Sequence, residues 1–331
     1  MNEFRVARYR LDIESVEPLH LPPYKGSTFR GGFGYAFKKI VCGQRDRRAC
    51  TSCEMGNDCP YGYIFETNVP PDSEVLRSLQ KVPRPFVIQA SPDRRRSYPP
   101  GSALSLYLVL VGRAINYLPY FLLAFQELGR AGIGKSRGKY VLQRINSVHP
   151  WRATQELVYD GVDVRVGGQD LSVSYAEVVA RAATLPAERL RLRFLSPTRL
   201  RHRGKPLQCP PFHVLVRRLL DRVSSLSYFH CGQRWEADFR GLVEQAQEVE
   251  LTVCDTHWVN VERYSSRQRA RLSLGGFVGD VVYAGDLTPF LPLLCLGELV
   301  HVGKAAVFGN GRYRMEIGDW RLTSLCLYHV P

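Results

Sequence analysis

The chain has 331 residues, 45% of them hydrophobic, which is enough for two domains with genuine cores. Lysine and arginine number 45 against 31 aspartates and glutamates, a formal net charge of +14 that argues against a small neutral substrate and for a polyanion such as nucleic acid. A membrane surface would also draw this charge, but there is no long uninterrupted apolar span and no lipidation signal, and the charged, alternating N-terminus is not a signal peptide. Nine cysteines without an export signal favour a reducing cytoplasm, with thiols or metal sites rather than disulfides.

Residues 4–16 alternate Phe4, Val6, Leu11 and Ile13 with Arg5, Arg8, Arg10 and Glu14, the pattern of a strand with one wet face. The segment LPPYKGSTFRGGFGYAFKKIVC (21–42) breaks that strand at its prolines, and Ser27 or Thr28 can cap a following helix. Phe29, Phe33, Phe37 and Ile40 fall at helical spacing and predict its core face; Tyr35, Lys38 and Lys39 share another face at i, i+3 and i+4. Glycines 31, 32 and 34 cost this helix about 1 kcal/mol each relative to alanine. Close approach of backbone or nucleic acid to the helix start, an intrinsic anion site, would account for them.

Within 41–66, Cys42, Cys50, Cys53 and Cys59 are spaced C-x7-C-x2-C-x5-C in a polar, turn-rich segment. Four thiolates on one metal would fold such a knuckle over 42–62. Zinc is the expected ion, an iron–sulfur cluster would use the same ligands, and free thiols are the plain alternative. Cys209, Cys231, Cys254, Cys295 and Cys326 have no ligand-like spacing and read as core or incidental residues.

Strands are predicted over 84–91 and 102–112, joined by a loop carrying Arg94, Arg95, Arg96 and Tyr98. A helix over 113–131 ends at GIGKSRGKY (132–140), with Lys135, Arg137 and Lys139, and a strand follows over 140–148. Strand–helix–strand–strand–helix–strand is the ferredoxin-like order, whose sheet face is a known RNA platform. Residues 151–190, with short strands and a helix near 175–185, read as a connector.

The second half repeats the order. RLRFLSPTRLRHRGKP (191–206) is a strand running into a basic loop, and 212–232 is a helix with an apolar stripe. A strand pair spans 257–285, a helix 289–300, and a last strand 312–318. RYSSRQRAR (263–271) mixes cations with hydrogen-bonding and aromatic side chains, suited to phosphates and a stacked base or to a charged, aggregation-proof hairpin edge. Before the last strand, HVGKAAVFGNGRYRM (301–315) sets Gly303, Gly309 and Gly311 beside Lys304, Arg312 and Arg314. Two glycine-basic loops at helix-to-strand junctions suggest two similar domains gripping one extended polyanion; the plain alternative is a pair of helix C-caps with solvated charges. The expected fold is therefore α+β, with two tandem ferredoxin-like (RRM-like) domains, 1–150 and 191–331.

With these motifs in hand, the chain resembles the CRISPR pre-crRNA-processing endoribonucleases of the RAMP superfamily, in the branch with a four-cysteine insert after the first helix. The resemblance is carried by 21–37, by the four cysteines with CPYGYIFE (59–66), by 194–206 and 263–268, and by 275–313, and it covers nearly the full length. It implies binding of CRISPR repeat RNA and one cut per repeat. The cut needs no metal: the ribose 2′-OH attacks the adjacent phosphate, leaving a 2′,3′-cyclic phosphate and a 5′-OH. In such proteins the guide RNA product often stays bound and can pass to an interference complex with other subunits. The alternative is a catalytically inactive subunit that binds crRNA within an effector complex. A regulator of DNA is disfavoured, since no helix-turn-helix pattern or dimerisation heptad is present.

Many relatives carry a histidine on or just after the first helix, where this chain has Tyr35. The catalytic candidates are Tyr35 with Lys38 or Lys39, and His20 as the nearest histidine, because the reaction needs a base for the 2′-OH and an acid for the leaving 5′-oxygen. The RNA-binding candidates are Arg30, Lys135, Arg137, Lys139, Arg199, Arg263, Arg267, His301, Lys304 and Arg312. His149, His202, His213, His230, His257 and His329 are not expected to take part in chemistry.

Overall fold

The structure is a computed structural model. It describes the whole chain except residues 44–49, 51–52, 54, 68, 70–81, 166–167, 266–269 and 317–331. In the N-terminal domain the elements are β1 (Arg5–Ser15), β2 (Leu19–His20), α1 (Gly26–Val41), α2 (Pro60–Glu66), β3 (Phe86–Ala90), β4 (Ser97–Tyr98), β5 (Ala103–Val111), α3 (Leu118–Ala131) and β6 (Tyr140–Val148). Its sheet runs β3-β5-β1-β6, every neighbour antiparallel, so the first, second, third and fourth long strands stand in the ferredoxin-like order 2-3-1-4.

β7 (Gln155–Tyr159) extends that sheet beside β6, and β8 (Val173–Ser174) returns to pair with β1. α4 (Tyr175–Ala182) then lies against the C-terminal domain through Val178 and Ala182, so the 151–190 segment is shared between the two halves. The C-terminal domain holds β9 (Arg189–Thr198), β10 (Leu200–His202), β11 (Lys205–Leu207), α5 (Phe212–Cys231), α6 (Phe239–Gln245), β12 (Glu250–Val259), β13 (Glu262–Ser265), β14 (Ala270–Ser273), β15 (Gly276–Ala284), α7 (Leu291–Val300) and β16 (Tyr313–Glu316). Its sheet, β12-β15-β9-β16, repeats the 2-3-1-4 order. The chain is thus a tandem of ferredoxin-like domains. The stretch expected as a basic loop after β9 is instead the β10–β11 hairpin, because Leu200 is buried and pairs with Leu207.

Alternation in β1 sends Ala7, Tyr9, Leu11 and Ile13 to the helix side, where Phe29, Phe33 and Phe37 of α1 meet Phe86, Phe121 and Phe125. Ile40, expected in that face, is 37% exposed, next to the last residue of α1. Val6, Val87 and Val109, on the opposite side of the same sheet, join the core of the C-terminal domain, so the domains meet through one continuous apolar seam. His230 of α5 crosses the seam: its Nε2–H donates to the Pro83 carbonyl at 2.7 Å, and its Nδ1 accepts from the Tyr63 hydroxyl of α2 at 3.2 Å. No helix among the described residues is long and apolar enough to span a membrane.

Candidate functional site

The long glycine loop is folded around β9. Ser196 Oγ donates to the Gly309 carbonyl at 2.8 Å and accepts from the Arg312 amide at 2.9 Å, and the Gly311 amide donates to the Pro197 carbonyl at 3.2 Å. Gly311 has φ +73°, and a Cβ there would sit 1.7 Å from the Val302 carbonyl oxygen. The glycines are therefore demanded by close approach of the chain to itself rather than to a ligand. His301 anchors the same loop. It is 1% exposed, its Nδ1 lies 3.0 Å from the Asn310 carbonyl oxygen, and burial drives its pKa down to about 3. This corrects the expectation that His301 faces RNA: the helix-end turn points it inward.

The loop then crosses the seam. Its single turn Ala306–Phe308 sets the Phe308 carbonyl where a Cβ on Gly26, the first residue of α1, would be 2.0 Å away. The Phe308 ring lies between two guanidiniums, Arg30 of α1 at 5.4 Å and Arg263 of β13 at 4.7 Å. Arg30 also covers Phe65 of α2 at 5.1 Å. Burial, reinforced by Arg84 and by Arg263 further down, lowers the Arg30 pKa to about 10. The Nε atoms of both Arg30 and Arg263 are buried without a hydrogen-bond partner. Dehydrated cations with unused donors at a domain junction have the chemistry of an anion site.

α2 supports the rest of α1. Tyr61 and Phe65 stack at 4.8 Å, Arg30 rests on Phe65, and Lys38 lies 5.5 Å over Tyr61. Tyr35 is 75% exposed on the outer face. Beside it, Gly31 has no heavy atom within 4 Å of its Cβ position, whereas Gly32 and Gly34 face Leu128 and Phe65. Lys39 pairs with Glu127 of α3 at 2.6 Å. His20 is not with them: it sits on β2, exposed, with Nδ1 3.2 Å from Ser136 Oγ of the shorter glycine loop.

The other predicted cations separate into several places. Lys135 and Arg137 are exposed on the shorter loop, and Lys139 pairs with Glu17 at 3.0 Å. Lys304 is exposed on the longer loop. Arg199 commits its donors to the Gly275 carbonyl at 2.9 Å and Ser273 Oγ at 2.6 Å, so it pins a turn. Arg312 faces a small interdomain cavity with Arg8, Arg314, Gln89, Trp151 and Glu298, and burial, then Arg8, lowers its pKa to about 10. Arg267 lies outside the described residues.

Residues 192–313 match the family model of the CRISPR-associated endoribonuclease Cas6, and residues 4–170 match the model AF_1859_N, described as an N-terminal domain. Residues 192–313 are thus a domain of the Cas6 endoribonuclease family. A product complex of a Cas6 protein superposes with a TM-score of 0.57 at 16% identity, covering 93% of this chain and 98% of that one. A Cas6 from Thermus thermophilus superposes at 0.53 with 15% identity, covering 95% and 99%. An uncharacterised protein of Archaeoglobus fulgidus is 26% identical over 306 residues, 90% of this chain and 93% of that protein.

Cys42, Cys50, Cys53 and Cys59 are half-buried and outside any disulfide, in the stretch from the end of α1 to the start of α2. Burial pushes the Cys50 thiol up, Lys38 pulls it down, and Cys42 and Cys59 are close enough to push it up further. Among the described residues no three histidine, cysteine or acidic side chains stand together as a metal-holding group, and residues 44–49, 51–52 and 54 of the cysteine segment lie outside the described residues. Cys209 and Cys254, expected to be unpaired, form a disulfide across 45 positions. Their spacing conceals that the end of β11 lies across β12, where Gln208 Nε2 donates to the Thr256 carbonyl at 2.7 Å and Thr256 Oγ1 donates back to Gln208 at 3.0 Å.

Sequence reasoning passed over Lys25, Tyr61, Phe65 and Phe308, all inside quoted motifs. The legible signal was aromatic residues at i and i+4 in 61–65 and a lone phenylalanine in a glycine loop. Neither pattern says which cation it will meet.

Proposed function

We propose that this chain cuts CRISPR repeat RNA into guide RNAs by metal-independent attack of a ribose 2′-OH. The 2′-oxygen forms a bond to the adjacent phosphorus as the P–O5′ bond breaks; the 2′ proton passes to a base and the leaving 5′-oxygen takes up a proton, giving a 2′,3′-cyclic phosphate and a 5′-OH. The observation that carries the proposal is the Arg30–Phe308–Arg263 junction, where partnerless donors meet the start of α1. Arg30 and Arg263 hold backbone phosphate, Lys38 adds charge next to the reacting centre, and exposed Tyr35 handles a proton. Lys39 and His20 are weaker candidates, since each already has a partner. The product stays on the same surface and is passed to other CRISPR subunits. A structural zinc on Cys42, Cys50, Cys53 and Cys59 rests on donor chemistry alone; metal analysis of the purified protein and of Cys53→Ser tests it.

A second reading, a guide-RNA carrier that does not cut, is favoured by one observation. α1 carries no histidine, and His20 is held on the neighbouring loop. The deciding experiment is cleavage of the cognate repeat RNA in EDTA, beside a substrate with 2′-deoxyribose at the cut site and Tyr35→Phe, Lys38→Ala, Lys39→Ala and His20→Ala variants. Circular dichroism in EDTA checks that the cysteine segment stays folded. Cutting by the wild type, survival of the deoxy substrate and failure of an α1 variant that still binds support the nuclease. Tight binding without any cut leaves the carrier.

A further inference from the structure

Between the two glycine loops lies a third basic loop that neither the family motifs nor the site above absorbs. Residues 91–96 lead into β4 and carry Arg94, Arg95 and Arg96 in succession, all exposed and none in an ion pair among the described residues. The one carboxylate in this loop is turned away from them. Asp93 Oδ1 accepts from Lys25 Nζ at 2.9 Å, from the Tyr98 hydroxyl at 2.6 Å and from the Arg95 amide at 3.0 Å, while Oδ2 accepts from Ser91 Oγ at 2.9 Å. Lys25, whose side chain is 0% exposed, also donates to the Asp93 carbonyl at 2.5 Å. Burial opposes ionisation of Asp93, but the bonds from Tyr98, Lys25 and Ser91 prevail and hold its pKa at about 2.

A buried lysine beside a polar loop is costly to keep, and a solvated charge run would not need one. What Lys25 achieves is placement. It is the residue before α1, so it ties the loop to the helix on which Arg30 and Tyr35 stand. At the other end the loop is tied to β2 by the Leu21 amide donating to the Arg96 carbonyl at 2.8 Å and by the pairing of His20 with Ser97. β2 in turn meets the shorter glycine loop, whose Lys135 amide donates to the His20 carbonyl at 3.2 Å. The guanidiniums are stiffened from below: Arg95 lies 4.8 Å over the Tyr98 ring and Arg94 5.9 Å over Tyr24. Contacts thus run from the longer loop to α1, through the Lys25 side chain to the arginine loop, and by backbone through β2 to the shorter loop.

We propose that Arg94, Arg95 and Arg96 form a sequence-independent phosphate track that carries RNA backbone between the two glycine loops, and that Lys25, through Asp93, is the positioning residue that sets this track against α1. The inference rests on the proposed reading of the chain as an RNA-binding Cas6-family protein. It assigns the loop to backbone rather than to bases, because exposed guanidiniums in succession match repeated phosphates.

The test is fluorescence anisotropy with labelled repeat RNA and with an oligouridylate of the same length, over a salt series, for wild type, R94A/R95A/R96A and Lys25→Met. Each phosphate contact on a single strand contributes about 0.7 to the slope of log affinity against log salt. The triple variant, altered only at exposed positions, is expected to melt like wild type, to lose about tenfold or more in affinity at low salt, and to lower the slope by about 1.4–2 on both RNAs. Lys25→Met is expected to lower the slope in the same direction with all three arginines present; a merely structural lysine would lower the melting temperature and leave the slope of the folded protein unchanged. A triple variant with the wild-type slope on an RNA that wild type binds overturns this inference alone. Wild type that binds neither RNA overturns both it and the proposed function. Binding without cutting removes the nuclease and leaves the track standing.

Discussion

The two glycine loops start alike, Gly134-Lys135 in one and Gly303-Lys304 in the other, and end in opposite roles. The shorter stays at home: Cβ atoms on Gly134 and Gly138 would lie 2.3 Å from the carbonyl oxygens of His20 and Pro18, in the same domain. The longer adds Ala305–Phe308, turns once, and reaches into the other domain to touch Gly26 and Ile88. One shared signal, helix then glycine and cations then strand, therefore serves once as a local corner and once as an interdomain clasp. The inserted apolar residues make the difference, because only they bring a ring for the arginines to close on.

That contrast can be broken at the glycines. Gly311→Ala must adopt φ +73° with its methyl on the Val302 carbonyl, and it is expected to destabilise the protein by about 2–5 kcal/mol, read from the urea midpoint. Gly26→Ala leaves each domain intact but pushes on Phe308; its expected signature is loss of RNA binding with a smaller loss of stability. Equal losses of stability for the two variants would mean that the clasp is no more than packing.

Acid should open the clasp side first. Burial lowers His230 to about 4 and His301 to about 3, while an unfolded histidine titrates near 6.5. A depressed folded pKa means that the unfolded chain binds more protons in this window. Stability is then complete above about pH 6.5 and falls as pH drops toward the folded values, by up to about 1.4 kcal/mol per unit and per histidine. Urea midpoints at pH 7 and pH 5 measure it, and His230→Gln should flatten the dependence. No histidine among the described residues is buried in the shorter loop, so substitutions there should leave the profile alone.

Smaller effects sharpen the comparison at the RNA surface. Arg30→Met is expected to weaken repeat-RNA binding by about 2–3 kcal/mol, because its guanidinium is already dehydrated. Lys135→Ala and Arg137→Ala, both solvated, should cost under about 1 kcal/mol each. Gly31→Ala fills open space on an exposed helix and should stabilise the free protein by up to about 1 kcal/mol. Weaker RNA binding by the same variant would place the RNA against that face of α1; unchanged binding would remove it.

Much of the fold could be read ahead because it rests on local periodicity. Alternation in 4–16, helical spacing of Phe29, Phe33 and Phe37, and the repeated strand–helix order all depend on neighbours a few residues apart. Ile40 escaped its assigned face because a helix end is set by what it packs on. The Cys209–Cys254 pair went against expectation for a related reason: spacing shows which thiols are near in the chain, not which surfaces the chain lays together.

The sequence by itself determined the tandem domain plan, the basic character and the helix and loops that carry the candidate site. Those follow from hydrophobic period, net charge and glycine placement, which are properties of short windows. Only the tertiary structure decided that His301 is an inward pin and that Arg199 is spent on a turn. It likewise decided that Arg30 and Arg263 meet on Phe308, and that Lys25 is buried under three arginines. Each of these depends on residues from separate elements meeting across a seam, where burial decides whether a cation is dehydrated, paired or left with donors to offer.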